Sequence, residues 1–142
     1  MKPDLRKEHI DRANELTAQW FKEHKAIRTS LASPYGLSVE IITWQQPGTS
    51  NYGVQYMVNN NCVIVTGDLG SAIYCIGNRP LTLEMLPLYD WHYFVNKCVA
   101  SETGRDYVEK IKGVSGTVPN YRAIAHYIGL QMALKQLLPE VK

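Results

Sequence analysis

The chain has little charge of either sign in excess, few cysteines and no long apolar run. Among its 142 residues, 15 Lys and Arg stand against 13 Asp and Glu, a net charge of +2. That near-balance excludes the acidic surface by which a simple mimic imitates DNA. It also lacks the strongly basic signature of a nucleic-acid binder. No stretch of about 18 apolar residues is present, so no membrane-spanning helix is expected. The opening residues MKPDLRKEH lack the apolar core of a signal peptide, which predicts a cytosolic chain. The three cysteines, Cys62, Cys75 and Cys98, are an odd number without close spacing. They suggest neither a disulfide framework nor a zinc site, and read as reduced core thiols. No phosphate-binding loop, nucleophile elbow, dinucleotide fingerprint or zinc-protease motif occurs, so no cofactor and no metal is expected.

What is present, 45% apolar and 20% charged residues, is an ordinary globular composition of a length suited to one domain over residues 1–142. Residues Asp4 to Leu31 contain neither Gly nor Pro. At 100° per residue, Leu5, Ala13, Leu16, Trp20, Ile27 and Leu31 share one stripe, which predicts a long amphipathic helix ended by Ser33-Pro34-Tyr35-Gly36. An unbroken helix of that length would span roughly 40 Å, so a kink or break is compatible with it. Period then changes from helical to alternating. Leu37–Trp44, Tyr52–Val58, Cys62–Thr66 and Ser71–Ile76 are short and rich in Val, Ile, Tyr and Thr, with Gly- and Asn-containing turns between them. Such short links predict an antiparallel meander. Asp90 is a good N-cap for a helix whose stripe runs Trp91, Phe94, Val95, Cys98 and Val99, and Ser101 or Thr103 is placed to restart it. Pro119 suits the first turn of a last helix reaching about Leu138. The fold expected is α+β, a four-stranded antiparallel sheet over about residues 37–76 covered on one face by the long first helix and the C-terminal helices.

The last helix has a narrow polar arc (Arg122, His126, Gly129, Ala133, Gln136) and broad apolar flanks. This reads as a helix sandwiched between sheet and first helix, with packing on a second copy of the chain as the alternative. No Lys or Arg lies between Arg28 and Arg79. The strand aromatics Trp44, Tyr52, Tyr56 and Tyr74 therefore lack the cations that single-strand binding needs and are expected in the core, so direct nucleic-acid binding is not expected. His9 and His24 read as packed histidines, and His126 with Arg122 as a solvated face. Gly67-Asp68-Leu69-Gly70 reads as a hairpin turn and not a phosphate nest. Glu102 and Asp106, with Arg105, Lys110 and Lys112, read as a salt-bridged helix surface. An enzyme acting on a nucleotide-like substrate would need Asp68, His92, Glu102 and Arg105 to converge in one cleft.

The run Val65-Thr66-Gly67-Asp68-Leu69-Gly70-Ser71-Ala72-Ile73-Tyr74, followed by Leu88-Tyr89-Asp90-Trp91-His92-Tyr93-Phe94-Val95-Asn96-Lys97-Cys98-Val99-Ala100-Ser101-Glu102-Thr103-Gly104-Arg105, resembles small uncharacterised proteins encoded by bacteriophages and prophages. Their pattern is V-x-G-D-x-G-x-A-x-Y and then Y-F-x-x-K-x-x-A-S-E-x-G-R. The resemblance covers about residues 50–110 and supplies no catalytic residues. It implies an accessory protein of the host cytoplasm that binds and inhibits a host defence or nucleic-acid-processing protein, such as a CRISPR effector or other nuclease complex, without catalysis, with a homodimer as a compatible state. The expected contacts are exposed aromatics and cations of the second half: Tyr89, His92, Tyr93, Lys97, Arg105, Tyr107 and Arg122.

Overall fold

The computed structural model describes residues 4–32, 35 and 38–138. The Asp4 carboxylate accepts from the Lys7 amide and caps α1, Leu5–Trp20. The helix stops there, well short of Leu31. Lys25–Ala32 is a strand, β1, and each of its residues has a register partner in β2, Ser38–Gln45. Trp20, Ile27 and Leu31 share a helical angle by their spacing alone. In the strand, Ile27, Thr29 and Leu31 instead alternate with Ala26, Arg28 and Ser30. The predicted stop at Ser33-Pro34-Tyr35-Gly36 lies, apart from Tyr35, outside the described residues.

The meander continues through β3, Val54–Asn59, β4, Cys62–Gly67, and β5, Ala72–Cys75. It ends in β6, Cys98–Ser101, giving a six-stranded antiparallel sheet in sequence order. The α+β class stands, but the four expected strands are extended by β1 on one side and β6 on the other. A 3₁₀ turn at Leu83–Leu88 and a short helix α2, Trp91–Val95, lie between β5 and β6. Asp90 does cap α2, accepting from the Tyr93 amide at 2.8 Å. Helix α2 ends before Cys98, which pairs with Tyr74 across the sheet instead of continuing a helical stripe. The expected helical restart near Ser101 is a tight turn closed by a Ser101–Gly104 bridge, with Gly104 at φ +129. A small ribbon of β7, Val108–Glu109, and β8, Val118–Pro119, follows. Pro119 thus ends a strand; the Asn120 side chain caps α3, Tyr121–Leu137, through the Arg122 amide.

Helix α3 lies between α1 and the sheet, as the sandwiched reading expects, and packs on β1, β2 and β3. Its buried face combines both sets: Ile124, Leu130 and Leu134 of the apolar flanks are buried as expected, and so are three residues read as its polar arc. His126, Gly129 and Ala133, read as its polar arc, are buried, whereas Tyr127, Ile128, Met132 and Leu137 are only half-buried. The sheet explains this. It presents Trp44, Tyr56 and Tyr74, all fully buried, so the helix face that meets them has to be small. At its far end, Gln136 accepts from the Ala26 amide and donates to the His24 carbonyl, clamping the start of edge strand β1.

Gly129 is the tightest point of this contact. A Cβ there would sit 2.5 Å from the Tyr56 hydroxyl and 2.8 Å from Phe21 Cε2. Gly129→Ala should therefore destabilise the protein by about 1–2 kcal/mol, overpacking outweighing a helix-propensity gain of roughly 1 kcal/mol. Urea unfolding checks this, and an increase in stability would refute the close approach.

Candidate docking surface

The densest polar arrangement is internal. The fully buried His126 ring bridges two elements: Nε2 is 2.9 Å from the Leu69 carbonyl and Nδ1 is 2.9 Å from the Tyr74 hydroxyl. A carbonyl only accepts, so Nε2 carries the proton, and Nδ1 accepts from Tyr74. The Tyr56 hydroxyl donates to the His126 carbonyl at 2.7 Å. Burial depresses the imidazole to a pKa of about 4, against the smaller opposing effect of its backbone partners and Glu102. Beside it, the Glu102 carboxylate accepts from Tyr107 at 2.5 Å and Arg122 at 2.6 Å. Those hydrogen bonds hold Glu102 below its ordinary value and push the Tyr107 phenol up, burial contributing most to the latter. Gly70 sits against Glu102 and Tyr107 with no room for a Cβ.

These contacts correct several expectations. His126 is not solvated. Glu102 pairs with Arg122, twenty residues on, and not along a helix with Asp106 and its lysines. Tyr107, expected at the surface, is 2% exposed because its hydroxyl serves Glu102 and its ring lies 5.6 Å from the His126 ring. Arg122 is half-buried in the same cluster. The packed readings of His9 and His24 hold, through Pro119 and Tyr52 carbonyls at 2.9 Å. Trp44, Tyr56 and Tyr74 are core, whereas Tyr52 is partly exposed and stacks on Trp20 at 4.9 Å.

The remaining residues expected to meet a partner divide into two groups. Tyr89 and Tyr93 stack at 5.0 Å and 12°, and the Lys97 ammonium lies 4.9 Å from the centre of the Tyr93 ring. Leu88, 81% exposed, precedes this ladder. His92 points elsewhere, into a hollow of about 360 Å³ whose walls include Arg6, Trp91, Asn96 and Thr117. Arg105 is exposed and forms no ion pair among the described residues. Asp68 lines a different hollow, also about 360 Å³, with Asn51 and Tyr52. Glu102 and Arg105 line neither. Asp68 and His92 thus line two different hollows.

The sequence reading missed the sheet face opposite α3, whose central side chains Ile41, Met57, Ile64 and Ile73 are half-buried. Register places Thr29, Ile41, Met57, Ile64, Ile73 and Ala100 in one row across all six strands. A flanking row runs Leu31, Val39, Asn59, Cys62, Cys75, and the Cys75 amide donates to the Lys97 carbonyl. None of these residues is buried, and no described helix covers them. Ile27, Leu31 and Val99 are 61%, 53% and 45% exposed. On this face β2 to β5 carry no Asp, Glu, Lys or Arg. The panel measures roughly 24 Å by 20 Å from strand and residue spacing, or about 500 Å². That is at the upper end of apolar patches on monomeric proteins. Its signal was in the sequence: the non-core half of each alternating strand holds Ile and Met where a solvent face holds charge.

No family model matches the chain, and neither a curated protein nor a solved structure matches it.

The buried imidazole makes stability depend on pH. Its folded-state pKa of about 4 lies below the unfolded value of about 6.5, so the folded state binds fewer protons between them. Stability is fully present above pH 6.5 and falls as the pH drops towards 4, by up to about 3 kcal/mol from this group. His24, also lowered by burial, acts in the same direction. In urea titrations across this window His126→Gln should be less stable at pH 7 yet show a flatter slope. An unchanged slope would refute a neutral buried His126.

Proposed function

We propose that this chain is a non-catalytic binding protein, of phage origin, that inhibits a host defence or nucleic-acid-processing protein in the host cytoplasm by docking on it. The open sheet face carries this reading. An uncharged, largely apolar face flanked by polar strand residues has the anatomy of a protein interface. The absence of charge across β2 to β5 on that face suits neither phosphates nor anionic lipid headgroups, and favours the surface of another folded protein. The resemblance to phage-encoded proteins supplies the class of partner. Tyr89, Tyr93 and Lys97 are the expected rim contacts, and His92 and Arg105 lie peripheral to them.

Expression in a bacterium with an active CRISPR or restriction system should raise the plating of a targeted phage. Met57→Glu, which places a charge at the centre of the panel, should abolish that protection and weaken partner binding at least about tenfold without unfolding the chain. Tyr93→Ala should weaken binding less. No protection across a panel of defence systems by folded protein, or protection that survives Met57→Glu, would overturn the proposal. A Met57-dependent homodimer without a partner would assign the face to a second copy.

A further inference from the structure

Cys62 and Cys75, far apart in sequence, are register partners on β4 and β5, and their sulfurs lie 2.6 Å apart as free thiols. The Ile76 amide donates to the Asn61 carbonyl, while the Cys75 amide turns to the Lys97 carbonyl just before β6. Cys62 and Cys75 therefore occupy a non-hydrogen-bonded position, where the Cα atoms of facing strands approach to about 4.5 Å. That separation falls within the range a disulfide bridges, and closing the sulfurs to bonding distance needs a movement of only about 0.6 Å. Both side chains are half-buried on the open sheet face, so small solutes reach them. Cys98 is different: it is buried on the opposite face with its thiol directed at the Ala100 carbonyl.

We propose that Cys62 and Cys75 form a redox modification site, a dithiol that a peroxide converts to a disulfide joining β4 to β5. The inference concerns the free chain and does not rest on the docking reading. Burial and the neighbouring Cys62 push the Cys75 thiol up to about 11, so Cys75 carries less thiolate than an ordinary cysteine and is assigned the resolving role. The Cys62 thiolate attacks hydrogen peroxide, breaking the O–O bond to give a sulfenic acid and, after protonation, water. Cys75 then attacks the Cys62 sulfur as the S–O bond breaks, releasing a second water. Overall two thiols and one peroxide give one disulfide and two waters, the thiols losing two electrons and two protons.

The experiment treats purified full-length protein with hydrogen peroxide, unfolds it, alkylates it and reads intact and peptide masses. Reduced protein should take three labels, matching its three free thiols, and oxidised protein only the one at Cys98, with the Cys62 and Cys75 peptides linked. Dithiothreitol should restore all labels. Cys98→Ser should still form the link. Cys75→Ser should instead accumulate a sulfenic acid at Cys62 that dimedone captures. Full labelling after peroxide, a link involving Cys98, a disulfide between chains, or sulfinic acid at Cys62 while Cys75 is intact would each overturn the proposal.

Discussion

The structure depends on one neutral imidazole buried between a tyrosine hydroxyl and a turn carbonyl. His126 belongs to α3, Tyr74 to β5 and Leu69 to the turn that joins β4 to β5. Satisfying both ring nitrogens fixes the helix against the sheet in rotation and in height. A shift of the helix would leave polar atoms unpaired in a dry environment, at a cost of about 1–3 kcal/mol each. Glu102 extends the lock outward by joining β6, Tyr107 and Arg122 around Gly70. Residues of the Val65–Tyr74 and Tyr93–Arg105 runs gather here: Gly67 and Gly70 shape the turn, Tyr74 donates to the imidazole, and Glu102 holds the cluster. Those runs are therefore largely accounted for by packing and hydrogen bonding.

Helix α3 shows how the partner surface sets a helix's composition. Hydrophobicity read along the helix marks His126, Gly129 and Ala133 as its polar side, and by residue type that is correct. Burial follows shape instead. The sheet projects large aromatic rings, and close packing against them requires small helix residues plus one polar group with two satisfied hydrogen bonds. Ile124, Leu130 and Leu134 are buried beside these small residues, while Tyr127, Ile128 and Met132 stay half-buried.

The legible parts of the fold were those set by local chemistry. The turns at Gly67–Gly70 and Asn59–Asn61, the cap at Asp90 and the alternation of Val54, Tyr56 and Val58 all follow from backbone preferences or a two-residue period. The edges of the sheet were not legible. Strand β1 carries apolar residues at positions that also fit a helix, and only pairing with β2 decides between them. Strand β6 is too short to show a period, and a bulge at Ile73 and Tyr74 interrupts its register. Of the candidate contacts in the Tyr89–Tyr93–Lys97 ladder, Tyr93 is exposed, whereas Tyr89 and Lys97 are half-buried. Tyr107 is buried, because its partner Glu102 is itself positioned by a helix distant in sequence.

The scarcity of charge in mid-chain has a different meaning once the sheet has two faces. Read along the sequence, strands without cations are scaffold. In the structure, one half of each strand builds the core with α3, and the other half faces outward while remaining apolar or neutral. A strand whose outer face meets only water tolerates Lys, Glu and Thr freely, and edge or solvent faces commonly use charge to discourage association. Here the row from Ile41 through Met57 and Ile64 to Ile73 dispenses with that protection over most of the sheet's width. On this face β1 retains it only at Lys25; Arg28, paired with Glu40, lies on the opposite face. The core constrains one face of these strands and leaves the other free to vary, so the chemistry of the open face is set by whatever it meets.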